Sequence, residues 1–243
     1  MMRDALPESN PSQLMPAAKK KSPPVRTPAD KTSLSEQAFN RLEEMIVTLK
    51  LPPGSLWSEA SLSETLGIGR TPVREAVQRM AEFHMVVVMR RHGIRIAEVN
   101  DQEQLLVLET RRELERLIAT RAARRANAQD KRTLSTMAQA LLAAGTAGDL
   151  TEMLRHYFSA KKFMARCAGN RFSEQAIAPL HTLSRRFYFM HYQELGDIEV
   201  VARLHADLLR AVATGDEKEA AAASDRQIDY AENFAKRIIT RGF

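Results

Sequence analysis

The tightest constraint on the fold lies between Leu34 and Ile96, where the hydrophobic period switches from helical to alternating across short runs of turn residues. Leu34, Ala38, Leu42, Ile46 and Leu49 recur at helical spacing, and Lys50-Leu-Pro-Pro-Gly54 stops that helix. Ser58 can cap a second short helix, Glu59 to Leu66, with Ser61-Leu-Ser-Glu64 as a weaker capping signal inside it. Gly67-Ile-Gly69 is a tight turn. A third helix starts at Arg70-Thr-Pro72, because proline is tolerated in a first turn, and runs to about Phe83. From Val86 to Ile96 two β-branched runs flank Arg90–Gly93, the pattern of a hairpin. Helix, helix, turn, helix, hairpin is the order of a winged helix-turn-helix, expected over residues 32–98.

The stretch 101–243 shows helical spacing and almost no strand signal. Helices are expected near 101–126, 130–145, 149–168, 171–191, 198–213 and 216–240, punctuated by Gly145, Gly169-Asn170, Gly196 and Gly215-Asp216. The fold class is therefore mainly α: an N-terminal winged helix-turn-helix and a C-terminal all-α six-helix bundle. Residues 1–31, rich in Pro, Ser, Ala and Lys with no apolar period, read as a disordered tail. No window approaches 18 uninterrupted apolar residues, which excludes a membrane-spanning helix. The N-terminus lacks the apolar core of a secretory signal. Cys167, the single cysteine, excludes an internal disulfide and a cysteine-rich zinc site, and it reads as a small buried side chain. A reducing, cytoplasmic setting is the expectation.

Charge then narrows the function. Residues 32–100 carry eight basic and eight acidic side chains, yet between Ile68 and Ile96 six arginines (70, 74, 79, 90, 91, 95) face only Glu75 and Glu82. A positive surface on a neutral domain points to nucleic acid, although a solvated charged helix has the same count. At 3.6 residues per turn, Arg70, Arg74, Gln78 and Thr71 share a sector of about 100°, and Val73, Ala76, Val77 and Met80 occupy another. The polar sector offers two guanidinium forks, an amide and a hydroxyl, the groups that reach base edges and phosphates in a major groove of double-stranded DNA. Arg90, Arg91 and His92 at the hairpin tip can reach the backbone or the adjacent minor groove, with Gly93 allowing close approach. An ordinary amphipathic helix has the same periodicity. The turn before the helix and the basic hairpin after it favour DNA.

The run Leu66-Gly-Ile-Gly-Arg70-Thr-Pro-Val-Arg74-Glu-Ala76, with Pro52-Pro-Gly54 and Ser58-Glu59 before it, resembles the N-terminal domain of the GntR family of bacterial transcription regulators. The resemblance covers 35–97. It implies DNA contacts from Arg70, Thr71, Arg74 and the wing around His92-Gly93. Two departures stand out. Many members carry an arginine where this chain has Ala60, which removes one contact. The glycine that usually ends the recognition helix is His84, which would need left-handed backbone.

Residues 101–240 resemble the FCD ligand-binding domain of one GntR branch, through Glu109-Thr-Arg111-Arg-Glu-Leu-Glu115, Phe158 to Asn170, and Leu204-His205 to Asp216. Many FCD domains hold a divalent metal with one Asp and three His. The matching positions here are Tyr157, Lys161, His205 and Gln227, so one ligand of four survives, and no metal or other cofactor is implied. Periodicity reaches the same residues, each a polar break in an apolar helical stripe, and adds Arg111. Converged, Arg111, Tyr157, Lys161, His205 and Gln227 would make a cationic pocket for a small carboxylate or phosphate. Each by itself is equally an ordinary satisfied interior group, and Arg112 replaces Arg111 if the helix register slips by one. Arg185-Arg186, near Phe187, Tyr188 and Tyr192, reads as surface and dimer edge.

No GxSxG, HExxH or GxxxxGK[ST] pattern is present, and no nucleophile–base pair suggests an enzyme. The expected function is a DNA-binding transcription regulator, acting as a homodimer on a two-fold symmetric operator and controlled by a small anionic metabolite. In the resembling family, repression relieved by ligand is the commoner arrangement. The alternative is an architectural or ligand-independent dimeric repressor, whose bundle only dimerises.

Overall fold

In a computed structural model of the 243-residue chain, the structure describes residues 33–191 and 198–241. The tail expected over residues 1–31 and the positions Tyr192 and Gly196 lie outside them.

The first helix, α1 (Leu34–Val47), is capped by Ser33, whose hydroxyl accepts from the Glu36 amide at 3.1 Å. A two-residue strand β1 (Leu56–Trp57) precedes α2 (Glu59–Leu66). Ser58 and Ser61 form a reciprocal capping box there, and Gly67 closes α2 in the left-handed region at φ 62°. α3 (Arg70–Glu82) packs against α1 through Val73, Ala76, Val77 and Met80, all buried. His84 follows at φ 57°, the left-handed geometry expected where a glycine is missing.

β2 (Val86–Met89) and β3 (Gly93–Ile96) form the expected hairpin. β1 was not expected. It pairs antiparallel with β3, Leu56 opposite Arg95 and Trp57 opposite Ile94, giving the order β1-β3-β2. This pairing gives Gly93 a structural reason. At φ 90°, a Cβ there would stand 2.5 Å from the Trp57 carbonyl oxygen.

Six helices follow among the described residues: α4 (Glu103–Arg125), α5 (Ala128–Thr146), α6 (Leu150–Cys167), α7 (Arg171–Met190), α8 (Ile198–Thr214) and α9 (Glu217–Arg241). Asn127 caps α5 by accepting from the Gln129 and Asp130 amides at 2.8 and 2.9 Å, and Asp149 and Asn170 cap α6 and α7. None of these helices is long and apolar enough to cross a membrane. Their apolar faces converge on a core including Leu108, Ile118, Leu141, Met164, Phe187, Leu208 and Phe234. A separate core, including Leu42, Ile46, Leu62, Met80 and Ile96, holds the winged part together. Each such fully buried aliphatic or aromatic side chain contributes about 1.5–3 kcal/mol.

α7 joins the two cores. Leu183 and Phe189 pack against the winged-domain core. Arg185 pairs with Glu44, and Arg186 donates to the Ala97 carbonyl. The expectation that Arg185-Arg186 is a surface pair therefore fails at Arg186, which is 2% exposed. Burial without a carboxylate partner pushes its guanidinium down to about 10, against the pull of Glu98.

Candidate functional site

On α3, Arg70, Thr71, Arg74 and Gln78 are all exposed, on the face opposite the buried stripe. Arg90, Arg91 and His92 are exposed at the hairpin turn, with Arg91 in the left-handed region at φ 64°, and Gly93 is half-buried beneath them. Arg79 belongs elsewhere: it pairs with Glu36 at 2.7 Å and lies 3.8 Å from the centroid of the Phe39 ring.

Arg74 carries a partner that periodicity did not disclose. Its Nε donates to both Glu59 oxygens at 3.0 Å, and Nη2 donates to Oε2 at 2.8 Å. This bond holds the Glu59 carboxyl below its ordinary range despite some burial. The fork is aligned by α2, with its positive charge offset there. In a solvent-exposed setting such a pair exchanges readily for phosphate or base contacts.

The second constellation is buried in the bundle. Arg111 (2% exposed) on α4 donates through Nε and Nη2 to Oε1 of Glu115, at 2.8 and 2.6 Å, and through Nη2 to the Tyr157 hydroxyl at 3.0 Å. Lys161 on α6 donates to Oε2 of Glu115 and, at 2.8 Å, to Oε1 of Gln227 on α9. Gln227 donates in turn to the Leu204 carbonyl at 3.0 Å. The ring of His205 on α8 lies against Tyr157, centroids 4.1 Å apart. All five expected pocket residues are thus brought together. Arg112 instead faces α9, pairing with Asp229 at 2.7 Å and Glu232 at 2.9 Å.

Two members of this cluster escaped the sequence reading. Glu115 (1% exposed) is its centre, and His181 on α7 approaches Glu115 Oε1 with Nε2 at 3.1 Å. Arg111 and Glu115 are four apart, a spacing that flags an ion pair. His181 falls on the buried stripe Ser173, Ile177, His181, Ser184, and inspecting α7 for polar breaks would have found it. Tyr188, read as a dimer edge, also lines the cavity described below.

Burial and charge set the protonation states. Burial would raise the Glu115 carboxyl, but Arg111 and Lys161 hold it well below the usual range. Burial lowers Lys161, partly offset by Glu115. Burial pushes the Tyr157 hydroxyl up to about 12. Burial brings His181 down to about 4 and His205 down to about 3, so both rings are neutral at pH 7.

A cavity of about 40 Å³ opens beside the cluster. Its lining mixes the polar side chains of Arg111, Tyr157, Tyr188, His205, Gln227 and Tyr230 with apolar ones that include Met153, Leu154, Val201 and Ile228. Nη1 of Arg111 and Nδ1 of His205 make no well-aligned hydrogen bond, although the Tyr188 hydroxyl lies near Arg111 and the Gln227 amide near His205. Lys161 sits behind, against a pocket of about 10 Å³. Of the expected cationic groups, Arg111 lines the larger cavity and Lys161 only the smaller one. Lys161 spends its ammonium on Glu115 and Gln227, and Arg111 leaves Nη1 without a well-aligned bond.

The four positions that the resemblance matches to metal ligands do not fit a metal here. Tyr157 is hydrogen-bonded to a guanidinium, Lys161 supplies an ammonium that repels a divalent ion, and Gln227 accepts from that ammonium. His205 alone retains the donor chemistry.

Comparison with known proteins places these features in a family. Residues 34–96 match the family model for bacterial regulatory proteins of the gntR family, and residues 106–230 match the FCD domain. The HTH-type transcriptional regulator McbR of Escherichia coli (strain K12) is 28% identical over 122 residues, 50% of this chain and 55% of that protein. Matched stretches span from about a quarter to about half the length of the curated relatives. Among solved structures, E. coli McbR/YncC superposes with a TM-score of 0.75 at 20% identity, covering 86% of this chain and 99% of the other. A GntR regulator from Rhodococcus sp. RHA1 gives 0.63 at 16%, over 84% and 98%. These likenesses show the shared fold.

Proposed function

The chain belongs to the GntR family of bacterial transcription regulators, in its FCD branch, and from that premise we propose that it is a homodimeric operator-binding regulator controlled by a small anion. The GntR domain implies DNA binding and the FCD domain small-molecule binding; the roles of individual residues are our reading.

In that reading α3 enters the major groove. Arg74, aligned by Glu59, and Arg70 address guanine edges or phosphates, Gln78 an adenine edge, and Thr71 a phosphate. Arg90, Arg91 and His92 grip the flanking backbone. Two copies place two reading heads on one side of a two-fold symmetric site. The anion binds in the bundle cavity, where a carboxylate gains charge-assisted bonds from Arg111 Nη1. It shifts operator affinity by binding the two conformations unequally. No catalytic step is needed or proposed.

The observation that carries the effector reading is Arg111. A guanidinium almost sealed from solvent, lining a cavity and with one nitrogen lacking a well-aligned bond, is costly unless a ligand satisfies it. The test is footprinting on operator selected from random DNA, with mass measured by light scattering. A symmetric footprint from a dimer supports the reading; an asymmetric half-site bound by a monomer defeats it. A second reading, a ligand-independent dimeric repressor, is favoured by how fully Glu115 already satisfies Lys161. Thermal-shift titration separates the two, since an effector that binds the folded state raises Tm.

A further inference from the structure

We propose that the cleft at the interdomain link is a second small-molecule site, separate from the bundle cavity, and that it takes a zwitterion, an α-amino acid with an aliphatic side chain. The cleft measures about 470 Å³, within the range of about 300–1,000 Å³ usual for small-molecule sites. It shares no lining residue with the bundle cavity. Both domains wall it: His84 follows α3, Glu98 to Asn100 belong to the link, and α4 and α7 supply the rest.

The observation that carries the proposal is Arg186, which lines this cleft at 2% exposure. Its Nη2 donates to the Ala97 carbonyl, and its Nε has no hydrogen-bond partner. No carboxylate of the described residues forms an ion pair with it, and Glu98 acts on it only from a longer distance. A cation held out of water without a counter-charge is costly unless a ligand supplies that charge. The neutral polar groups of the cleft are already engaged. Asn100 accepts from the Gln102 and Glu103 amides, Gln104 pairs with Ser184, and the Thr110 hydroxyl donates to the Leu106 carbonyl.

Two acidic side chains, Glu98 and Glu103, also line the cleft, and both are exposed. The site therefore sets one buried guanidinium against two exposed carboxylates. A simple anion that reaches Arg186 is repelled by both carboxylates. A simple cation leaves Arg186 uncompensated and adds a like charge beside it. A zwitterion pairs its carboxylate with the guanidinium and its ammonium with Glu98 or Glu103. The apolar part of the wall includes Val107, Leu180, Leu183 and Phe187, which suits an aliphatic side chain. His84, the left-handed residue that ends the reading helix, stands in the same wall. An occupant thus bridges reading head and bundle, and its binding is coupled to operator affinity.

The experiment uses the full-length protein at pH 8 and constant ionic strength, titrated by calorimetry and thermal shift. The probes are free L-leucine, 4-methylpentanoate, which lacks the ammonium, and 3-methylbutylamine, which lacks the carboxylate. Leucine should bind saturably and raise Tm, with each analogue weaker by about tenfold or more. Glu98→Gln combined with Glu103→Gln should weaken leucine by about tenfold and strengthen 4-methylpentanoate. Arg186→Met should abolish leucine binding; if that variant fails to fold, the paired glutamate variant still decides. Ala231→Leu, which fills the bundle cavity, should leave leucine binding unchanged. Binding of 4-methylpentanoate as tight as that of leucine in the unmodified protein would overturn the zwitterion assignment. Leucine binding lost in Ala231→Leu and kept in the paired glutamate variant would move the ligand to the bundle cavity and overturn the cleft as its site. Absence of saturable binding by leucine, valine and alanine alike would overturn the proposal outright.

Discussion

Thr182 donates its hydroxyl at 2.5 Å to Glu43, a buried carboxylate on α1 of the winged domain. The preceding residue, His181, touches Glu115 at the centre of the bundle cluster. Neighbouring residues of α7 therefore contact the buried Glu115 cluster of the bundle and the winged domain. Pro179, just before them, removes a backbone donor from that part of the helix. Any displacement of Glu115 would therefore have a short mechanical route to α1 through His181 and Thr182.

This relationship gives the first prediction. Thr182→Val should lower unfolding free energy by about 1 kcal/mol, because the buried Glu43 loses a hydrogen-bond donor while Lys162 still faces it. It should also reduce the change in operator affinity that an effector produces, while leaving ligand affinity nearly intact. Denaturant unfolding, and gel-shift titration with and without a small carboxylate such as acetate, check both parts.

The Arg74–Glu59 pair gives the second. Arg74→Ala should weaken operator binding about tenfold to hundredfold and flatten preference at one base position. Glu59→Gln removes a negative charge from the same face, so affinity for random-sequence DNA should rise several-fold and its salt dependence steepen. Fluorescence anisotropy on operator and random duplexes at two salt concentrations measures both, and unchanged operator affinity in Arg74→Ala would remove it from the reading set.

The third concerns pH. His181 and His205 are held neutral in the folded protein, at about 4 and about 3, and take up protons near 6.5 once unfolded. The unfolded state binds more protons below that value, so the stabilisation is fully present above pH 6.5. It is lost as pH falls toward 4, by up to about 1.4 kcal/mol per pH unit for each ring. Unfolding free energy measured at pH 7.5, 6 and 5 should decline along that slope, and His181→Gln should flatten it by about half.

The fourth is a double-mutant cycle. Lys161→Met leaves Glu115 short of one partner and should cost about 3 kcal/mol, the low end for breaking a buried pair because Arg111 still faces the carboxylate. Glu115→Gln in the same chain should recover part of that loss, a coupling visible as non-additivity in urea unfolding. Strict additivity would show that the two side chains are energetically independent.

Most of the secondary structure was legible because local chemistry determines it. The apolar stripe of α3, the serine cap of α2, the left-handed turn at His84 and the Arg90–Gly93 hairpin follow from periodicity, capping and backbone sterics within a few residues of each position. β1 was not legible, since two residues beside Pro52-Pro53 hold no pattern and acquire strand geometry only by pairing with β3. The polar breaks at Arg111, Tyr157, Lys161, His205 and Gln227 could be marked on their own helices. Their partners could not, because Glu115 four residues from an arginine looks the same whether it faces water or the core. Only the packing of α4 against α6, α7 and α9 excludes water from that carboxylate and surrounds it with two cations. Arg186 makes the same point from the other direction: the sequence marks a charged side chain, and the fold buries it on a carbonyl of the interdomain link. Charge type and helix face are properties of the local chain. Burial, which decides whether a charge is a solvated ornament, a structural pair or a ligand contact, depends on which distant surfaces meet, and the tertiary structure alone decides that.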